Sequence, residues 1–449
     1  MSNLKLLLSS LLATALLLVS SLAIAIPPIQ NWRTANGVPV YFIPTRELPI
    51  VDVQILFNAG SVRDGERPGL AKLTNALLDE GAGDWSADTI ADRLDQVGAR
   101  LSTTSRRDAA SVSLRSLAEP RYLQPAVETI ATLLREPTFA PDAVERVRRQ
   151  MLTVLQERAQ SPAAIAQDAF FKALYGQHPY SSPSEGDTAS LNAITRVDIQ
   201  NFHRRYYVAA NAVVAIVGDL ERAAAEQLAN ALVGGLPAGE AAPVPPPVPP
   251  VAASQTLRIP HPSSQSHILI GQIGVSRIDP DYYALYLGNH VLGGNGLVSQ
   301  LSQEIREKRG LAYSASSSFS PMRQAGPFLV SAQTRNDQVD TAIQVAQTTL
   351  REFTANGPNA QALEEARQNI TGGFALDLAG NGKLASHLGS IAFYGLPLDY
   401  LQTFIGTING INLEQVKTTW QQHIQPDRLI TVIVGGGQPA QTPPSAPGS

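Results

Sequence analysis

No two of the seven histidines, His178, His203, His261, His267, His290, His387 and His423, stand four residues apart. A helix-borne pair of metal ligands needs that spacing, because side chains at i and i+4 meet on one helical face. An H-x-x-x-H site is therefore excluded, and a site assembled from separate loops is what remains open. There is no cysteine, so thiolate chemistry and disulfides are closed as well. Two stretches hold the other groups of interest. GLAKLTNALLDEG, residues 69–81, sets Lys72 and Asn75 into an apolar run. QEIREKRGLAYS, residues 303–314, gathers Arg306, Glu307, Lys308 and Arg309 ahead of Tyr313. Arginine offers a rigid fork of hydrogen-bond donors, and a tyrosine hydroxyl can donate to an oxygen that gains charge. Taken alone, this stretch also reads as a solvated helix end followed by a strand aromatic. Its cations suit the negative helix pole.

Elements must hold these residues in place. Leu70, Leu73, Leu77 and Leu78 recur at helical spacing, so residues 69–81 read as the start of a buried helix behind the strand-like VDVQILF. Further strand candidates are VPVYFIP, SVSLRSL, AVVAIVG, HILIGQIGV and PFLVSAQT. Helical spacing runs through ADTIADRLDQVGA, YLQPAVETIATLLR and PDAVERVRRQMLTVLQERA. It returns in DYYALYLGNHVLG, NGLVSQLSQEIREK and DQVDTAIQVAQTTLREFTANG. Asp88 and Asp142 fall in first turns, where carboxylates suit the helix dipole. The alternation predicts an α+β fold.

The chain repeats itself. ITRVDIQNFHRRYYVAANAVVAIVGD and INLEQVKTTWQQHIQPDRLITVIVGG each read as helix, short loop and apolar strand. Ile194 matches Ile411 and Val217 matches Val434, both at an offset of 217 residues. AFFKALYG, residues 169–176, matches SIAFYG, residues 390–395, two residues out of step. PAGEAAPVPPPVPPVAA, residues 237–253, is too proline-rich for helix or sheet and reads as a stiff extended connector. Two homologous domains, 26–236 and 254–436, follow, each a sheet covered by helices, with a low-complexity tail at 437–449. At 449 residues and 44% hydrophobic content the chain is folded and exceeds a single core. A net charge of -4 leaves no basic surface for nucleic acid or anionic lipid. The apolar run before Ala23-Ile24-Ala25 predicts an export signal cleaved after Ala25, with a retained membrane anchor as the competing reading.

The stretch from NAGSVRDGERPGLAKLTNALLDEG to SVSLRSL resembles the first half of the pitrilysin/insulinase family of zinc peptidases. QEIREKRGLAYS resembles the family's second, zinc-free half almost letter for letter. The resemblance spans roughly residues 35–436. It implies a helix reading GLAHFLEH, whose H-x-x-E-H supplies two zinc ligands and the glutamate that polarises water. Those positions fall here on Lys72, Asn75 and Ala76. None of the three can do the family's chemistry: lysine is a cation, asparagine is no base, and alanine cannot coordinate. The third ligand, a glutamate, falls near Thr153 or Val154, with Glu157 a turn away.

The resemblance also places an arginine and a tyrosine, seven residues apart, across from the zinc-bearing half. They match Arg306 and Tyr313, with Arg309 as the competing arginine. Gly293, Gly294 and Gly296 read as a turn before the helix, and the resemblance puts them near a bound peptide. Loss of the zinc motif beside retention of this pair implies a substrate-clamping subunit of an exported, periplasmic zinc peptidase. Such a chain holds no zinc itself, pairs with an H-x-x-E-H sister chain as a clamshell, and acts on peptides. The alternatives are a proteolytically inactive scaffold of the same fold and a stand-alone peptide-binding protein.

Overall fold

The computed structural model describes residues 28–437. The expected export segment and nearly all of the expected tail lie outside the described residues. The N-terminal half carries strands β1 (Gln30–Arg33), β2 (Pro39–Pro44), β3 (Ile50–Phe57), β4 (Gly81–Ala82), β5 (Trp85–Ser86), β6 (Arg100–Ser105), β7 (Ala110–Leu117) and β8 (Ala212–Gly218). Its helices are α1 (Leu70–Ala76), α2 (Ala87–Asp95), α3 (Pro120–Arg135), α4 (Pro141–Ala159), α5 (Pro162–Tyr175), α6 (Thr188–Ala193), α7 (Arg196–Tyr206) and α8 (Arg222–Val233). The C-terminal half carries β9 (Gln255–Ile259), β10 (Gln265–Ile273), β11 (Ala312–Phe319), β12 (Pro327–Arg335) and β13 (Ile430–Val434). Its helices are α9 (Tyr282–Asn289), α10 (Val339–Asn356), α11 (Ala360–Asp377), α12 (Asn381–Tyr394), α13 (Tyr400–Gly410) and α14 (Leu413–His423).

The two sheets repeat one topology. The first runs β1-β2-β8-β3-β7-β6 and the second β9-β13-β10-β12-β11. In each, the last strand of the half enters the middle, parallel to one neighbour and antiparallel to the other. The repeat seen in the sequence is thus a repeat of structure. Helices α7 and α14 sit 217 residues apart and both open with a capping box, Thr195 with Asp198 and Asn412 with Gln415. The short β4-β5 hairpin stands apart.

Strands β8 and β13 are apolar but for a buried Thr431, because both faces are buried. Val214 and Ile216 face the helices of their own half, whereas Ala215 and Val217 join Leu384, Leu388 and Ile391 of α12. Ile430, Val432 and Val434 of β13 meet Phe170 and Leu174 of α5 in the same way. Each half therefore lends one helix to the other half's sheet. These are the two helices whose sequences match two residues out of step.

A buried polar knot closes the junction. Asp108, 4% exposed, accepts hydrogen bonds from Tyr180 Oη at 2.6 Å, the Arg323 amide at 2.7 Å and Tyr394 Oη at 3.1 Å. Burial pushes both tyrosine hydroxyls above their usual range, which keeps them protonated and donating. The proline-rich segment 237–253 forms neither helix nor strand. It is pinned along its course: the Ala209 amide donates to Pro237 O at 2.8 Å, Gln324 Nε2 to Pro245 O at 2.8 Å and His178 Nε2 to Pro246 O at 2.8 Å.

The segment NGLVSQLSQEIREK departs from the regular helix that its spacing predicts. It breaks into a 3-10 turn at Gly296–Val298, a single turn at Gln300–Ser302 and a π-helical turn at Gln303–Glu307. A second π turn, His290–Gly294, ends α9.

Candidate functional site

Helix α1 packs on the first sheet through Leu70, Leu73, Leu77 and Leu78, all buried, as the leucine spacing predicts. Its N-terminus is held by Asp64, which accepts the Gly69 and Ala71 amides at 2.8 Å each. Lys72 forms an ion pair with Glu185. Asn75 is 2% exposed, and its Nδ2 donates to the Tyr207 hydroxyl at 3.2 Å. Ala76 is half-buried. On α4, Thr153, Val154 and Glu157 are all exposed. A catalytic zinc does not fit this arrangement. A fixed cation sits where the first ligand would stand, and the base position is sealed in the core against Tyr207. Glu185 escaped notice in the sequence. The signal was a lone charge on a mostly buried helix, which calls for an anion close by.

Among the described residues, only Asp279, Asp281 and His423 bring three cation-binding groups together. His423 Nε2 lies 2.8 Å from Asp281 Oδ2. This trio belongs to the C-terminal half, on the ends of α9 and α14, and does not involve α1.

The C-terminal segment is built differently. Arg306 rides on the π turn, with Nε 3.5 Å from Glu307 Oε1. Arg309 is committed elsewhere: its Nη1 donates to the Glu304 carbonyl at 2.8 Å and to Glu304 Oε2 at 2.6 Å. Lys308 joins the same carboxylate, and together the two cations pull Glu304 below its usual range. Of the two candidate arginines, Arg306 is the one without a strong partner. The chain then turns back, with the Gly310 amide bonding to Arg306 O at 2.8 Å and the Leu311 amide to Ile305 O at 2.9 Å. Tyr313 follows on β11, the edge strand of the second sheet. The register against β12 slips between Ala312 and Ser314, so Tyr313 is the unpaired residue of a β-bulge. A bulge turns two successive side chains to one side, and Tyr313 stands 80% exposed.

The three glycines play separate parts. Gly293 is buried against β11, where an added Cβ would lie 2.4 Å from the Ser317 amide nitrogen. Gly294 is exposed beside Asn289. Gly296 has φ +50 at an open apex that carries Leu297 and Val298 outward. Together they form a turn against the edge strand. Among the described residues no helix is long and apolar enough to cross a membrane.

Residues 43–188 match the family described as insulinase (peptidase family M16), and residues 193–370 match the peptidase M16 inactive domain. The chain is 26% identical over 406 residues to the non-peptidase homolog YmxG of Helicobacter pylori, covering 88% of this chain and 91% of that one. It is 22% identical over 410 residues to an uncharacterized zinc protease of Bacillus subtilis, covering 91% of this chain and 99% of that one. The crystal structure of a peptidase M16 inactive domain from Pseudomonas fluorescens superposes with a TM-score of 0.88 at 38% identity, covering 92% of this chain and 99% of that one. Matched in both halves, and over nearly its whole described length by one solved relative, the chain belongs to the peptidase M16 (insulinase) family.

Proposed function

We propose that this chain is the substrate-clamping subunit of an exported, periplasmic zinc peptidase, paired with a sister chain that carries H-x-x-E-H. The observation behind this is a contrast within one molecule. The first-half site is shut by Lys72, Asn75 and Ala76, whereas Tyr313 is displayed on a bulge near the π turn that carries Arg306. A solvent-facing tyrosine on an edge strand adds nothing to the core of this chain. It makes sense as a group that meets something else.

In this reading the partner supplies zinc and the general base. Tyr313 donates its hydroxyl proton in a hydrogen bond to the scissile carbonyl oxygen as charge develops there. Arg306 holds substrate carbonyls with its donor fork and limits their motion. Gly294 and Gly296 leave the backbone open beside the peptide, and Gly293 lets the turn pack on β11. The H. pylori relative's name, a non-peptidase homolog, agrees with a chain inactive by itself.

The test is hydrolysis of an unstructured peptide by this chain alone, by an H-x-x-E-H homologue from the same cell, and by the mixture. Activity is expected only in the mixture. Tyr313→Phe should lower kcat by about 100-fold while complex formation persists. A complex that forms but never cleaves would move the chain to the scaffold class. Peptide binding with no complex would make it a stand-alone binding protein.

A further inference from the structure

Between the glycine turn and the start of α11 lies a pocket of about 410 Å³. Its floor is apolar, made by Val291, Ala362 and Ala366, and Val298 forms a lip that is 65% exposed. Its rim consists of amide side chains and one carboxylate, Glu365. Gln361 Nε2 donates to Glu365 Oε1 at 2.9 Å, and among the described residues no cation pairs with Glu365. The carboxylates nearby are already matched: Glu364 by Arg367, and Glu304 by Lys308 and Arg309. Gln303 Nε2 donates to Val298 O at 3.0 Å, which leaves its Oε1 to accept from a ligand. His290 Nε2 donates to Asn369 Oδ1 at 3.1 Å, and burial holds the ring below its usual range, neutral at pH 7. Among the described residues no lysine or arginine lines the cavity.

We infer that this pocket takes the side chain of a lysine or arginine in the bound peptide, with Glu365 as its counter-charge. A long basic side chain suits such a place in both its parts. Its methylenes lie on Val298, Val291 and Ala362, and its charged head reaches Glu365 and the amide oxygens. A small cation would leave the apolar floor bare, and an aliphatic side chain would leave the rim acceptors without donors. Gln303 shares the π turn with Arg306, which ties the pocket to the proposed clamp. The inference rests on the clamping reading only in taking that peptide to be the clamp's substrate.

The experiment is fluorescence anisotropy on the purified chain. One labelled extended peptide carries a single arginine, and its twin carries citrulline, which keeps the shape and loses the charge. The arginine peptide should bind about three- to tenfold more tightly at low ionic strength. Glu365→Gln should close that gap, and Glu364→Gln, whose carboxylate is already matched by Arg367, should leave it intact. Equal binding of the two peptides, a gap that survives Glu365→Gln, or binding of neither peptide would each overturn the inference. The clamp is read separately. Cleavage by the mixture without the charge preference removes the pocket and keeps the clamp. The preference without cleavage does the reverse.

Discussion

Asn75 donates to Tyr207 from a buried place where a carboxylate would be stripped of water. Asn75→Glu should therefore cost on the order of 2 kcal/mol at pH 8. The loss should shrink at pH 5, where the new carboxyl holds its proton. Urea unfolding at the two pH values checks both the size and the sign. The same geometry bears on restoring the metal. Lys72→His, Asn75→Glu and Ala76→His together supply two ligands, but α4 offers exposed Thr153 and Val154 in place of the third. The triple variant should retain no stoichiometric zinc after dialysis, since a zinc site needs three protein ligands in fixed array; an equimolar metal content by atomic emission would contradict this. At this scale much was legible in the sequence. The residue types at 72, 75 and 76 already spoke against a metal. What could not be read was how each is satisfied, because Glu185 and Tyr207 lie more than 100 residues away. Tyr313 was legible as a position, but its display was not. The bulge comes from pairing with β12, and AYSASSSF has no alternation strong enough to announce it.

Two elements carry opposite responses to pH. On α7, His203 Nε2 donates to Leu134 O at 3.0 Å, and burial lowers its pKa to about 4. The unfolded chain takes up this proton near the ordinary value of about 6.5, before the folded chain does. His203 therefore costs stability as pH falls from about 6.5 to about 4, by about 3 kcal/mol in full. Asp64, at the start of α1, has its pKa raised to about 7, because burial outweighs the two amide bonds. The unfolded chain releases that proton near 4, so Asp64 costs stability as pH rises from about 4 to about 7. The two trends partly cancel in the parent protein. Melting curves from pH 4 to 7 should separate them: His203→Gln should leave a steeper loss with rising pH, and Asp64→Asn a steeper loss with falling pH. Identical slopes in all three proteins would show that neither group titrates as its burial dictates. Regular elements were legible where apolar periodicity was strong, as in α4 and β3. The polar strand β6 and the broken segment around Gln303 were not, since β-pairing forms the one and the packing of Gly293 on β11 shapes the other. Gly293→Ala should cost about 1–3 kcal/mol through that contact, read as a lower urea midpoint at unchanged slope.

The whole molecule is held by exchange. Helix α5 leaves the first half to cover β13, and α12 leaves the second to cover β8. The sequence shows the duplication and the matching helices, but not which sheet each helix covers, because an apolar face fits either. The exchange has an energetic consequence. Phe170, Phe171, Leu174 and Tyr175 are buried on α5. At about 1.5–3 kcal/mol each they represent roughly 6–12 kcal/mol of burial, comparable to the whole stability of a typical domain. A half expressed without its partner would leave that face in water and one face of its own sheet uncovered. Tyr180 would also lose the Gln324 amide, and Asp108 the Arg323 amide and the Tyr394 hydroxyl, since these three bonds span both halves. Residues 28–236 should accordingly be insoluble or aggregated alone, and so should residues 237–437. Co-expressed, the two fragments should associate into a soluble particle with the circular dichroism of the intact chain. The intact chain should unfold in one calorimetric transition, and Asp108→Ala should lower its midpoint without splitting it. Two separable transitions, or a soluble and folded N-terminal fragment, would mean that the exchanged helices are decoration and that each half stands on its own core.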